Sequence, residues 1–453
     1  MTKILEREKM AKAKIQFPRG FLWGNATAAH QVEGNNTNNN WHAWEEAGYT
    51  EHKSGLACDW WGGRWKEDFD RAAETGQNTH RLSVEWSRIQ PERDRWDESA
   101  LERYREMLRG LRDRNMTAMV TLHHFTDPLW FMDASTGSAG GWESDEAPQL
   151  FADFVRKTVS ALKEYANLWV TINEPNVYAY SGYAAGVFPP GKKDLNIAFK
   201  VMTNLVRGHA LAYNAIHEVQ REARVGMAHQ YRSIYPKNPR SPLDRWVAKT
   251  QSAIFNDIFP KALTDGKMKF LWQRVNIPEA VGTQDFMGMN YYTRDYVKFS
   301  LKMAGELFGE RFYSDDADLS ETGFIANEPE GFFEAMRWAQ RFDKDIIITE
   351  NGVEDSQDQM RPRYLAQHIE QLWRGVNFGW RIKGYFHWSL VDNFEWERGW
   401  TQRFGLWELD VETQKRRKRK SADFFEEVCK TNSLSSEMVE KYCPEVKDKL
   451  FPD

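Results

Sequence analysis

The sequence predicts an α/β protein built as a single (β/α)8 barrel with elaborated loops at its C-terminal face. Eight strand-like runs alternate with amphipathic helical stretches, no composition break or Pro/Gly-rich linker divides them, and no GxGxxG follows the first run. Strand–helix alternation specifies a parallel sheet, and the missing phosphate-binding turn argues against an open dinucleotide-binding sheet.

The first run, Phe21–Gly24, is short and aromatic. Thr79–Trp86 and Met116–Phe125 follow, and several of the eight runs are apolar with little alternation, as expected for parallel strands covered on both faces. Leu168–Asn173, Arg224–Tyr231, Phe286–Tyr292, Asp345–Thr349 and Ile382–Ser389 complete the set. Ser99–Arg114, Ala147–Tyr165 and Ile197–Ala223 place apolar residues at three- and four-residue spacing against charged faces, the pattern of helices packed on a sheet. Asp127–Pro148 and Thr293–Pro329 read as long loops at the C-terminal rim, where barrel active sites are built. Residues 1–453 are expected to form one catalytic domain, with the barrel over about 17–429 and terminal extensions at 1–16 and 430–453.

Composition narrows the function classes. A net charge of −5 gives no reason to expect a nucleic-acid partner, and the basic run Lys415–Lys420 reads as a solvated turn and helix start. Cys58, Cys429 and Cys443 are few, odd in number and without CxxC spacing, so neither a disulfide framework nor a zinc site is indicated. No apolar run approaches the ~18 residues of a membrane span. The opening MTKILEREKMAKAKIQ lacks a signal peptide's apolar core, so a cytoplasmic protein without a membrane partner is expected. A homo-oligomer is compatible with the sequence but not required by it. The 20 Trp residues are enough to supply both core filler and platforms on which apolar sugar faces stack.

Polar residues gather at two strand ends. The fourth run ends Thr171-Ile172-Asn173-Glu174-Pro175, the seventh Ile348-Thr349-Glu350-Asn351-Gly352. A carboxyl at each end puts both in one barrel mouth, which is what cleaving a glycosidic bond requires: one protonates the leaving oxygen, the other attacks the anomeric carbon. A gap of roughly 5–5.5 Å gives retention through a covalent intermediate. Asn327-Glu328-Pro329 repeats the Asn-Glu-Pro string, but no strand-like run leads into it. His123 and His124 are adjacent on a strand and point to opposite faces, with no further ligand at metal spacing, so no metal is expected. Two carboxyls and water suffice, so no cofactor is expected either.

Longer motifs carry a resemblance. FPRGFLWGNATAAHQVEG (Phe17–Gly34), RLSVEWSRI (Arg81–Ile89), Thr171–Pro175, Ile348–Gly352 and Trp388–Trp396 occur in that order. Together they resemble the blocks of glycoside hydrolase family 1, the β-glucosidase and β-galactosidase family, from about Phe17 to Cys429. That resemblance implies Glu174 as acid/base and Glu350 as nucleophile. It further implies a glycone pocket of Gln31, His124, Asn173, Tyr292, Glu395, Trp396 and Phe404 floored by Trp388, with Arg81, Asn290 and Tyr292 around Glu350. The implied partner is a small β-linked oligosaccharide or β-glycoside, cleaved from its non-reducing end with retention. Asn176 and Ile325 stand where the family often has Trp on the aglycone side, and Phe125 stands where a Trp often follows the glycone His. A 6-phospho-β-glycosidase, which needs a phosphate-holding Ser and Lys, is disfavoured by Glu395. A catalytically inactive sugar-binding barrel is disfavoured by the presence of both carboxyls.

Overall fold

The computed structural model describes residues 13–133 and 140–452. Residues 1–12 of the expected N-terminal extension and 134–139 of the expected Asp127–Pro148 loop lie outside the described residues.

Eight parallel strands close into a barrel in chain order: β1 (Leu22–Ala26), β2 (Thr79–Ser83), β3 (Thr117–His123), β4 (Leu168–Asn173), β5 (Arg224–Gln230), β6 (Phe286–Tyr291), β7 (Asp345–Asn351) and β8 (Ile382–Trp388), with β8 paired to β1. Each expected run supplies one strand, offset by a few residues at its ends. β4 and β6 are buried at every position, because helices cover the outside and side chains fill the inside. Flanking helices start where their caps dictate. Asp97 accepts from the Ser99 and Ala100 amides ahead of Glu98–Asp113, and Asp194 does the same for Asn196 and Ile197 ahead of Leu195–Val219. No helix among the described residues is long and apolar enough to cross a membrane.

Two strands depart from regular pairing just before their functional ends. In β7, Ile348 pairs with Met289 of β6 but Glu350 with Asn290, so Thr349 is an extra residue. In β4, Val170 pairs with Gly226 of β5 but Asn173 with Ala228. Such bulges increase local twist and re-aim the next side chain, which here is Glu350 or Glu174.

Two regions, Thr293–Pro329 and the basic run, differ from expectation. Thr293–Pro329 is not one long loop: Arg294–Phe299 pairs with Ser233–Pro236 and Gly309–Phe312 in a small sheet outside the barrel. The tail beyond Cys429 is packed. Ser433–Ser435 pairs with Lys14–Gln16, and Leu434, Val439 and Cys443 are buried. The basic run is not a solvated turn and helix start throughout. Arg416–Lys418 is a strand, Arg416 pairs with buried Asp68 at 3.1 Å, and Arg419 pairs with buried Asp392 at 2.7 Å. Arg417 pairs with Glu408, and Lys418 with Asp423 and Glu426. Most of the run is therefore committed to internal ion pairs. Cys58, Cys429 and Cys443 are buried free thiols.

Candidate active site

Glu174 and Glu350 stand in one pocket of about 850 Å3 at the C-terminal mouth of the barrel. Glu174 follows β4 with φ +43°, and Phe125, just past β3, has φ +71°. Left-handed backbone at residues with a Cβ costs ~1–3 kcal/mol each and persists where surrounding structure enforces it, often at functional sites. Pro175 then opens the next helix at a position that needs no N–H donor. Gly352, two residues past Glu350, lets the Trp388 carbonyl approach; a Cβ there would meet that oxygen at 2.1 Å.

The two carboxyls differ in their surroundings. Arg81, fully buried at the centre of β2, donates to Glu350 Oε1 at 2.6 Å, to the Thr349 carbonyl at 3.1 Å and to Asn173 Oδ1 at 2.7 Å. Tyr292 donates its hydroxyl to Glu350 Oε2 at 2.6 Å. Glu174 receives only the neutral Asn290 Nδ2, at 2.8 Å, and Asn290 is held in turn by the Thr349 hydroxyl at 2.6 Å. Burial, then the neighbouring Glu350 charge, pushes Glu174 up to about 8, with Asn290 and Arg81 opposing. Burial raises Glu350 too, but Arg81 and Tyr292 pull it back. Glu350 releases its proton first, because the guanidinium and phenol both favour its ionised form.

The far wall is aromatic. His124 and Trp396 stack with ring centroids 5.9 Å apart, Trp396 stacks in turn on His30, and Trp388 lies 5.9 Å from His124. His30 is held by Glu45 at 2.7 Å, so the Trp396 plane is fixed from behind. Asn173 Nδ2 donates to His124 Nε2 at 2.9 Å, and burial and Arg81 hold that imidazole neutral, so its own proton sits on Nδ1. Glu395 lines the same end. Burial, then the charges of Glu397 and Glu350, keep its proton on well above the usual carboxyl range.

Of the residues expected at the site, Glu174, Glu350, His124, Asn173, Tyr292, Trp388, Glu395, Trp396 and Phe404 line the pocket. Arg81, Asn290 and Gln31 lie behind it. The first two bond the carboxyls, while Gln31 Nε2 donates to the Phe394 carbonyl at 2.6 Å and to Glu395 at 3.2 Å. Ile325 and Phe125 also line the pocket, whereas Asn176 bonds the Gln230 carbonyl at 2.8 Å and lines a neighbouring cleft. His123 faces outward, bonded to Asp127 at 3.1 Å. Glu328 is remote from this pocket: it precedes the helix Pro329–Ala339 and pairs with Arg294 at 3.3 Å. Sequence reasoning missed Arg232, Tyr231 and Glu397 as pocket residues. Arg232 and Tyr231 immediately follow β5, so a search of every strand end would have found them. Glu397 had no such signal.

Known proteins resemble the chain over nearly its whole length. The family model for glycosyl hydrolase family 1 matches residues 13–434. The β-glucosidase A of Thermotoga maritima is 30% identical over 92% of this chain and 99% of its own length. A β-galactosidase of Pyrococcus woesei is 28% identical over 94% of this chain and 99% of its own. The solved β-glycosidase from Pyrococcus horikoshii superposes with a TM-score of 0.88 at 35% identity, covering 95% of this chain and 98% of that one.

Proposed function

The chain belongs to glycosyl hydrolase family 1, and on that premise we propose that it is a retaining, exo-acting β-glycosidase for unphosphorylated β-glucosides, and for β-galactosides and β-fucosides with them. The observation that carries this reading is the unequal treatment of the two buried carboxyls. One is ion-paired and phenol-bonded; the other is left to hold a proton.

In the first step Glu350 attacks the anomeric carbon, the bond to the aglycone oxygen breaks, and the Glu174 proton passes to that oxygen. Esterified Glu350 no longer carries charge, which removes one of the causes that raised Glu174, so Glu174 can then act as a base. It takes a proton from water, the water oxygen attacks the same carbon, and Glu350 leaves as carboxylate. Asn173, fixed between Arg81 and His124, is placed for the sugar 2-hydroxyl, a contact that strengthens in the transition state. Trp388, Trp396 and Glu395 then hold the glycone. Glucose- and galactose-configured rings share the hydrogens of carbons 1, 3 and 5 on one face and differ only at carbon 4, which supports action on both.

The pH dependence has a defined sign. kcat/KM rises as Glu350 loses its proton and falls as pH passes about 8, where Glu174 loses its own. For a dinitrophenyl glycoside, whose leaving group needs no proton, the alkaline limb should flatten. Profiles on that substrate and on an alkyl glycoside check this; identical alkaline limbs would contradict the acid role of Glu174.

A panel of aryl β-glycosides, with an aryl β-glucoside 6-phosphate and an α-glucoside, tests the substrate class. Glu395 and Glu397 line the glycone end, and Arg398 is already paired with Glu397; a phosphate buried there without a counter-ion of its own loses several kcal/mol of solvation, so the phosphorylated substrate should be slower by ~100-fold or more. The α-glucoside should not be cleaved. Preferred cleavage of the 6-phosphate would replace this reading with that of a phosphoglycosidase.

A further inference from the structure

Arg232, two residues past the end of β5, lines the catalytic pocket together with Glu174. We propose that Arg232, tempered by Asp295, is a positioning residue that acts through Glu174, favouring the carboxylate which that group becomes when it gives up its proton. The proposal rests on the glycosidase reading above and adds to it what stabilises the conjugate base of the acid.

The placement follows from strand pairing. The Glu174 N–H donates to the Ala228 carbonyl of β5 at 2.7 Å, and Asn176 Nδ2 donates to the Gln230 carbonyl at 2.8 Å. The chain after Glu174 therefore runs along the end of β5, whose next residues are Tyr231 and Arg232. The Tyr231 N–H donates to the carbonyl of Asn290 at 2.9 Å, and Asn290 is the residue whose side chain bonds Glu174. Asn256 clamps the Arg232 backbone, accepting from its N–H at 2.9 Å and donating to its carbonyl at 2.8 Å. Glu174 and Arg232 are thus fixed on neighbouring strand ends and share one cavity.

Arg232 is not a bare charge. Its Nε lies 2.6 Å from Oδ2 of buried Asp295, on the strand Arg294–Phe299, and Arg311 lies 4.0 Å from the same oxygen. Glu306 pairs with Arg311 at 4.0 Å and accepts from the Tyr180 hydroxyl, while Tyr180 and Tyr313 both face Arg232. Two carboxylates balance two guanidiniums in this cluster, and Arg232 is the member that lines the catalytic pocket. From its other sides Glu174 meets Glu350 on β7, Arg81 on β2 and Tyr292 after β6. Arg81 is committed to Glu350 and Asn173. Burial and the Glu350 charge keep the Glu174 proton on, and Arg232 is among the groups that oppose them.

That opposition has a use in both steps. When the Glu174 proton passes to the aglycone oxygen, the carboxylate left behind keeps only the neutral Asn290 as a hydrogen-bond donor. A fixed cation in the same cavity stabilises this charge as it develops. It also favours the ionised form that must take a proton from water in the second step. Asp295 limits the effect, so Glu174 is still protonated when the glycoside binds.

The test is the alkaline limb of the kcat/KM profile for methyl β-D-glucoside, whose leaving group needs the Glu174 proton. Arg232→Met removes the cation and should move the limb to higher pH. Asp295→Asn leaves the cation unbalanced and should move it to lower pH. The Arg232 side chain is 22% exposed and water screens it, so each displacement should be roughly 0.5–1 pH unit. Arg232→Lys keeps the charge and should stay near the unmodified profile. The position of the limb does not depend on the fraction of chains that fold, so a variant of low yield still reports. A residue that only supported the fold would lower the rate without moving the limb. A limb that stays in place in Arg232→Met or Asp295→Asn, or moves the other way, overturns the proposal and leaves the glycosidase reading intact. So does an Arg232→Lys limb displaced as far as that of Arg232→Met. No turnover of the glucoside by the unmodified protein overturns both.

Discussion

Glu350→Gly is expected to lower hydrolysis by roughly 10^5- to 10^6-fold, the scale of loss when a covalent nucleophile is removed. The protein should remain folded. Arg81 keeps the Thr349 carbonyl, Asn173 Oδ1 and Thr121 Oγ1 as acceptors, so its buried guanidinium is not left without partners. The space freed by the side chain lies on the attacking face of the sugar, so added azide or formate should restore turnover of a substrate with a good leaving group. The product should have the α-configuration, because the small anion replaces Glu350 and its adduct is not attacked a second time. Recovery of a β-glycosyl azide from this variant would falsify the assignment of Glu350 as nucleophile.

Glu174→Ala should behave differently at each step. General acid–base help contributes about 10^2- to 10^4-fold, so an alkyl glucoside should lose that much in kcat/KM, while a dinitrophenyl glucoside loses little. The second step slows for every substrate, since no base remains to activate water. Azide, which needs no deprotonation, should then attack the glycosyl-enzyme and yield a β-azide. Glu328→Ala is the control, carrying the same Asn-Glu-Pro string in a different setting. It precedes a helix outside the pocket and should leave both steps unchanged. The opposite pattern, with Glu328 essential and Glu174 dispensable, would reverse the assignment.

The contrast between those two strings also marks what the sequence makes legible. Leu168–Ile172 is a continuous apolar run because a barrel strand is buried on both faces, and that run singles out Glu174. Several of the eight strands carry this signal, whereas Thr79–Ser83 buries His80 and Arg81 and does not. The register irregularities at Thr349 and between Val170 and Asn173 carry no residue signature. They arise when neighbouring strands are fitted into a closed barrel, so the aim of the two carboxyls is a tertiary property. The small sheet over Arg294–Phe299 was legible in principle: Arg-Asp-Tyr-Val-Lys-Phe has Asp295 and Val297 buried and its other residues more exposed. A buried Asp in the inward set, compensated by Arg232, hides that pattern from a purely hydrophobic reading. The basic run misleads for a related reason. Arg416 finds Asp68 across 348 residues of chain and Arg419 finds Asp392 across 27, which local charge counting does not register.

Hydrolysis through a glycosyl ester on Glu350 is tested most directly by isolating that ester. A 2-deoxy-2-fluoro-β-glucosyl fluoride should enter the first step, since fluoride leaves readily without a proton. It should then stall at the second, where fluorine at carbon 2 disfavours the positively charged transition state and removes the hydroxyl that Asn173 would hold. Intact-mass measurement should show one fluoroglucosyl group per chain. After acid quench and proteolysis, fragmentation should place it on Glu350, with catalytic activity lost in step with labelling. Attachment to Glu174 or to any other residue, or complete turnover of the reagent with no labelled protein at any time, would contradict the account.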